Sequence, residues 1–142
     1  MTAGYSGTPL AKKLGIRESF SMLIIGAPEN YLDLIKPLPH NVKIENVDAS
    51  KKARHSTFDL IHLFTNSRDE LFRKLAECVR LIKQDGSIWV SWYKKATKLP
   101  TEIVEDTVRE AAFPLGLVDI KVCAVDEKWS GLKLVIRKEN RI

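Results

Sequence analysis

The segment Ser21-Met22-Leu23-Ile24-Ile25-Gly26-Ala27-Pro28-Glu29-Asn30-Tyr31 constrains this chain more than any other. It reads as a buried strand running through a glycine into a helix. Where such a turn grips a nucleotide it carries several glycines, for a tight bend and for close backbone approach to the ligand. Here Gly26 stands alone, followed by Ala27 and by Pro28, which has no amide hydrogen to donate. The strand-to-helix signal is intact while the usual grip on a cofactor is altered.

The elements around it alternate in type. Residues 8–14 predict a short helix with Thr8 as N-cap, Pro9 at its first position and Gly15 as its stop. A strand over 20–25 leads to a helix over 28–36 that sets Tyr31, Leu32 and Ile35 on one side and ends at Pro37. Val42 to Val47 alternates as a strand does, and 49–57 has room for one helical turn. Phe58 to Phe64 is nearly all apolar, as in a strand covered on both faces. Residues 68–83 predict a helix with a capping box from Ser67 and Glu70 and apolar Leu71, Leu75, Cys78 and Ile82 at helical spacing. Asp85-Gly86 is read as the turn into a strand over 87–92. A helix over 101–112 then ends at Pro114 and Gly116. Leu117–Val125 and Gly131–Arg137 are too close for an intervening helix and must pair antiparallel. The sum is one α/β domain over residues 1–142, with 1–16 as an N-terminal helical cap. It is a three-layer sandwich around a mostly parallel Rossmann-like sheet, ending in an antiparallel C-terminal hairpin.

Composition limits the classes of function. With 142 residues, 44% apolar and 29% charged, the chain is globular in character. It has no apolar run of the ~20 residues that span a bilayer, so no membrane partner is expected. The start lacks the pattern of a signal peptide, which makes the cytoplasm the expected compartment. Two distant cysteines, Cys78 and Cys123, form no metal or redox motif and read as small core residues. A net charge of +5 favours anionic partners, but its spread along the chain argues against nucleic acid.

The chain resembles a trimmed, degenerate class I S-adenosylmethionine-dependent methyltransferase domain over nearly its whole length. The resemblance rests on the Gly26 turn, Asp48 closing the second strand, Phe58-Asp59-Leu60-Ile61, and Leu81-Ile82-Lys83-Gln84-Asp85-Gly86-Ser87, together with the terminal hairpin. More closely, Gly4 to Ile16, Trp89-Val90-Ser91-Trp92 and Asp126 to Lys133 resemble the bacterial domain-of-unknown-function family 3052. The departures are the missing glycines, Pro28, the absent strand-helix unit between Asp48 and Phe58, and Thr65-Asn66-Ser67-Arg68 where amino-group methyltransferases carry an Asn/Asp-Pro-Pro-aromatic signature.

Ligands of an open parallel sheet bind outside the carboxyl ends of its strands. That edge collects Gly26 to Tyr31, Asp48, Thr65 to Arg68 and Trp92 to Lys95, with Gly26, Pro28, Asp48 and Asn66 as cofactor-binding candidates and S-adenosylmethionine the cofactor the resemblance implies. Asp48 is suited to accept ribose hydroxyls, or is a loop acid or helix cap. Trp92, Tyr93, Lys94 and Lys95 form a candidate anion or partner surface, aromatics stacking and lysines neutralising charge; the alternative is a core tryptophan and a plain strand exit. Gly4 to Pro9 is either a lid or a capped terminus. Asp126 to Gly131 is either a partner-binding edge or, as favoured here, a turn whose indole covers the sheet end. Asp59 is read as holding backbone amides, and His62 as a hydrogen-bonded core histidine. Lys51 to His55 and Arg137 to Arg141 read as solvated charge. No metal site is assigned. The reading carried forward is a non-catalytic module for a small ligand or a protein. The alternatives are an active S-adenosylmethionine-dependent methyltransferase with an altered cofactor loop, and a nucleic-acid-associated protein.

Overall fold

The computed structural model describes residues 8–46 and 55–142. Among them, six strands form one sheet in the order β2-β1-β3-β4-β6-β5. The strands are β1 (Ser21–Ile25), β2 (Lys43–Glu45), β3 (Phe58–Phe64), β4 (Ile82–Tyr93), β5 (Leu117–Ala124) and β6 (Trp129–Ile136). The first four run parallel, and β6 pairs antiparallel with both β4 and β5. The predicted mostly parallel sheet with an antiparallel terminal hairpin is the observed one.

Helices cover both faces. α3 (Arg68–Leu81) and α4 (Glu105–Ala112) pack Leu71, Leu75 and Val108 against Leu23, Ile61 and Leu63. On the other side, α1 (Leu10–Leu14) and α2 (Tyr31–Leu34) pack Leu14 and Tyr31 against Met22, Ile24, Leu60 and Trp89. Alternate residues of β3 thus enter different cores, which is why its sequence shows no polar face.

Several boundaries differ from the sequence-based expectation. α1 starts at Leu10, because Pro9 is extended at φ −56° and ψ 142°, so Pro9 rather than Thr8 flanks the helix; Gly15, at φ 81°, ends it as expected. α2 is one turn, not nine residues. Pro28 is spent in a turn whose carbonyl accepts the Tyr31 N–H, and Pro37 keeps the preceding residue out of helix. Leu32 is exposed, while Tyr31 and Ile35 are buried. α4 starts late because Val104 is extended at φ −128° and ψ 176°, while the Glu102 N–H is engaged by the Asn66 carbonyl. The expected turn at Asp85-Gly86 is instead a bulge within β4: Ile82 pairs with Phe58 and Ser87 with Leu60, leaving Lys83 to Gly86 opposite Asp59 alone. Asp59 stitches that bulge, its carboxylate accepting the Ser21 N–H at 2.8 Å and the Lys83 ammonium at 3.0 Å. The helical turn expected over 49–57 lies largely outside the described residues.

The cap of α3 is more elaborate than a two-residue box. Ser67 Oγ accepts the Glu70 N–H, and the Ser67 N–H goes to Thr65 Oγ1. Thr65 in turn donates to the Glu70 carboxylate at 2.9 Å.

Candidate functional site at the strand exits

β1, β3 and β4 end side by side, and their exits are tied together by specific bonds. Gly26 adopts φ +69°, and a Cβ there would lie 2.6 Å from the Phe64 carbonyl oxygen of the neighbouring exit. This glycine is required by sheet packing, whatever it does for a ligand. Gly26→Ala is expected to cost about 1–2 kcal/mol from the left-handed backbone alone, and more from displacing Phe64; chemical denaturation measures it.

Asn66, leaving β3, accepts the Tyr93 N–H at 2.8 Å on its side-chain oxygen and the Glu102 N–H at 2.9 Å on its main-chain oxygen. It braces the exit of β4. From Tyr93 the site is continued by the β5–β6 turn. Asp126 Oδ1 accepts the N–H groups of Lys128 and Trp129, both at 2.8 Å, and the Lys128 carbonyl accepts the Lys94 N–H at 2.8 Å. Tyr93 and Trp129 are ladder partners, their rings 4.5 Å apart between centroids and tilted by 41°. Trp129 also meets the Phe64 ring edge-on at 4.9 Å. The indole covers the end of the sheet, as its turn suggested.

Between this turn and the β1–α2 loop lies an open cleft of about 570 Å³, walled by Gly26, Pro28, Asn30 and Leu34 on one side and by Tyr93 and residues 126–129 on the other. That size falls in the usual range of small-molecule sites, ~300–1,000 Å³. A second cavity of about 560 Å³ sits beyond Pro28 toward β2, with Ile24, Ala27, Leu38, Val42 and Ile44 in its wall.

Gly26, Pro28 and Tyr93 of the sequence-based candidates therefore border one cleft. Asn66 stands behind it as a brace. Asp48 lies outside the described residues, as does the Gly4 to Gly7 stretch. Trp92 must be corrected: it is buried in the core beneath α3 and α4 and offers no partner surface, because at β4 both sheet faces are covered. Lys94 is half-buried, and Lys95 is exposed on a single 3₁₀ turn. Asn30 falls within the Gly26 to Tyr31 stretch expected at this edge, whereas Leu34 and the turn residues Asp126 to Trp129 were missed as cleft residues. Trp129 carried a signal, an indole in a tight hairpin, whereas Leu34 carried none.

Groups with displaced protonation lie elsewhere. His62 is fully buried on β3, with Nδ1 2.8 Å from the Tyr31 hydroxyl and Nε2 2.8 Å from the Ser91 hydroxyl. A neutral imidazole has one donor and one acceptor, so one hydroxyl donates to it and the other accepts. Burial pushes its pKa down to about 3 and raises that of Tyr31 beyond the ordinary phenol range. Burial likewise pushes the Cys78 thiol up to about 12. None of these three lines the cleft at the strand exits, although Tyr31 borders the second cavity. Among the described residues, no cluster of His, Cys, Asp and Glu could hold a metal ion, and no helix is long and apolar enough to cross a membrane.

Comparison with known proteins agrees with the fold. The model of a family described as "Protein of unknown function (DUF3052)" matches residues 41–138. No curated protein matches. Among solved structures, a SAM dependent methyltransferase from Aquifex aeolicus superposes with a TM-score of 0.64 at 17% identity, over 88% of this chain and 87% of the other. A TehB-like SAM-dependent methyltransferase from Corynebacterium glutamicum gives 0.58 at 16% identity, over 95% and 91%. The [4+2]-cyclase SpnF gives 0.64 at 12% identity, over 89% and 78%. At such identities the likeness establishes a methyltransferase-like fold.

Proposed function

The chain belongs to the DUF3052 family, and we propose that it is a methyltransferase-like domain serving as a small-ligand-binding module without group transfer. The observation that carries this reading is the cleft between the β1–α2 loop and the β5–β6 turn. It sits where an open parallel sheet holds its ligands, is large enough for a nucleoside-sized molecule, and has the Tyr93 and Trp129 rings in its wall. A small ligand is favoured over a protein partner because the feature is concave.

The absence of transfer is argued from placement. Gly26 is accounted for by its approach to Phe64, Pro28 brings no N–H, and Asn66 has its side-chain oxygen engaged by the Tyr93 amide. His62 and Tyr31, the groups with the largest protonation shifts near this end of the sheet, are locked onto each other in the core. Fold likeness alone does not transfer an activity: the same architecture carries proteins named as methyltransferases and one named as a cyclase.

The likeness to S-adenosylmethionine-dependent enzymes favours an active methyltransferase as the second reading and supplies the probes. S-adenosylhomocysteine at millimolar concentration is expected to raise the midpoint of thermal unfolding by several degrees. Saturation at ~100 times the dissociation constant stabilises a native state by about 2.7 kcal/mol. Leu34→Trp, which narrows the cleft, is expected to abolish the shift, and Asp48→Ala, the proposed ribose acceptor, to reduce it. No S-adenosylhomocysteine is expected to accumulate when the protein is incubated with S-adenosylmethionine and a small-molecule cell extract. Accumulation in excess over the protein would establish the methyltransferase reading instead.

A further inference from the structure

The face of the hairpin on the α1 side carries an arrangement of charge that the fold does not need. Lys121 on β5 and Lys133 on β6 are direct ladder partners, and like charges directly opposite each other destabilise a sheet. Lys133 is only part-exposed. Burial and the nearby charges of Lys121 and Arg17 all lower its proton affinity, and no carboxylate is among the influences on it. None of these three cations has an ion-pair partner among the described residues.

The surroundings keep the cations close. Lys121 Nζ donates to the Lys13 carbonyl at 3.0 Å, leaving two of its three N–H bonds for another acceptor. A Cβ placed on Gly15 would lie 3.4 Å from Lys133 Nζ, so this ammonium lies beside the end of α1. Arg17 follows two residues later and adds a guanidinium suited to bidentate contact with an oxyanion.

We propose that Lys121, Lys133 and Arg17 form a binding site for a small, multiply charged phosphate-type anion. An oxyanion seated among them converts a repulsive pair into two attractive contacts. The site lies on β5, β6 and the segment after α1, none of whose three cations borders the cleft at the strand exits. It therefore stands independently of the function proposed for that cleft. A small anion is favoured over a nucleic acid because Lys121 and Lys133 face each other on one rung of the ladder, with Arg17 on the segment after α1, whereas a polymer requires an extended basic track.

The test is thermal unfolding at low ionic strength with inorganic tripolyphosphate, for wild type, Lys121→Gln, Lys133→Gln and the double variant. Wild type is expected to gain several degrees, and the double variant less than one. Without the anion, Lys133→Gln is expected to unfold at a higher temperature than wild type, because it relieves repulsion. A purely structural role predicts the opposite sign for that variant. An equal gain in wild type and double variant, or no gain in wild type, overturns the proposal. So does binding of a thymidine oligonucleotide with a steep salt dependence where tripolyphosphate has no effect.

Discussion

Trp89→Ala is expected to lower the free energy of unfolding by about 3–5 kcal/mol, the range for removing a buried aromatic ring. Single domains are stable by only ~5–15 kcal/mol, so the variant keeps a small margin. Trp89 is fully buried and the largest of the fully buried side chains. Its Nε1–H donates to the Leu14 carbonyl at 2.9 Å, anchoring the C-terminal end of α1 to the sheet. Gly131, on the adjacent β6, leaves the space its ring fills: a Cβ there would lie 3.1 Å from the indole. Losing the ring therefore opens a cavity and releases α1. Trp89→Phe separates the two effects, retaining most of the packing while orphaning the Leu14 carbonyl at about 1–3 kcal/mol. Urea denaturation of both variants measures the difference. An alanine variant within 1 kcal/mol of wild type contradicts this account of the α1-side core.

The second large effect is acid destabilisation through His62. Its folded pKa is depressed to about 3, whereas a histidine in an unfolded chain titrates near ~6.5. Between those values the unfolded state binds a proton that the folded state refuses, so stability rises with pH across the window. It falls by up to ~1.4 kcal/mol per unit as pH drops below ~6.5. Protonation also removes the acceptor that the Tyr31–His62–Ser91 chain requires. His62→Gln is expected to be less stable at pH 7 yet to lack this slope between pH 6.5 and 5, where few carboxylates titrate. Parallel slopes in urea denaturation of the two proteins contradict the assignment.

Much of the fold was legible because its signals are local. The Phe58 to Phe64 run and the helical spacing of Leu71, Leu75 and Cys78 each report the environment of one element. The hairpin followed from a connection too short for a helix. The failures came where tertiary context overrides a local signal. Asp85-Gly86 has turn chemistry, but Gly86 sits in the β4 bulge because a Cβ would lie 2.9 Å from the Asp59 carbonyl oxygen. Trp92 had the look of a strand-exit aromatic, but α3 and α4 bury it. The cleft was only half visible. Gly26 and Pro28 announce themselves as a turn, whereas Tyr93 meets Trp129 only through the register of β4 and β6. The same holds for Lys121 and Lys133, each unremarkable until the β5–β6 ladder sets them face to face.

Whether the strand-exit cleft takes a small ligand is decided by backbone and indole amide chemical shifts during titration with S-adenosylhomocysteine. Saturable perturbations are expected at Gly26, Asn30, Tyr93, Lys128 and the Trp129 indole N–H, with Trp92 unmoved. Perturbations confined to the Lys121–Lys133 face, or none at millimolar ligand, would contradict binding in the cleft.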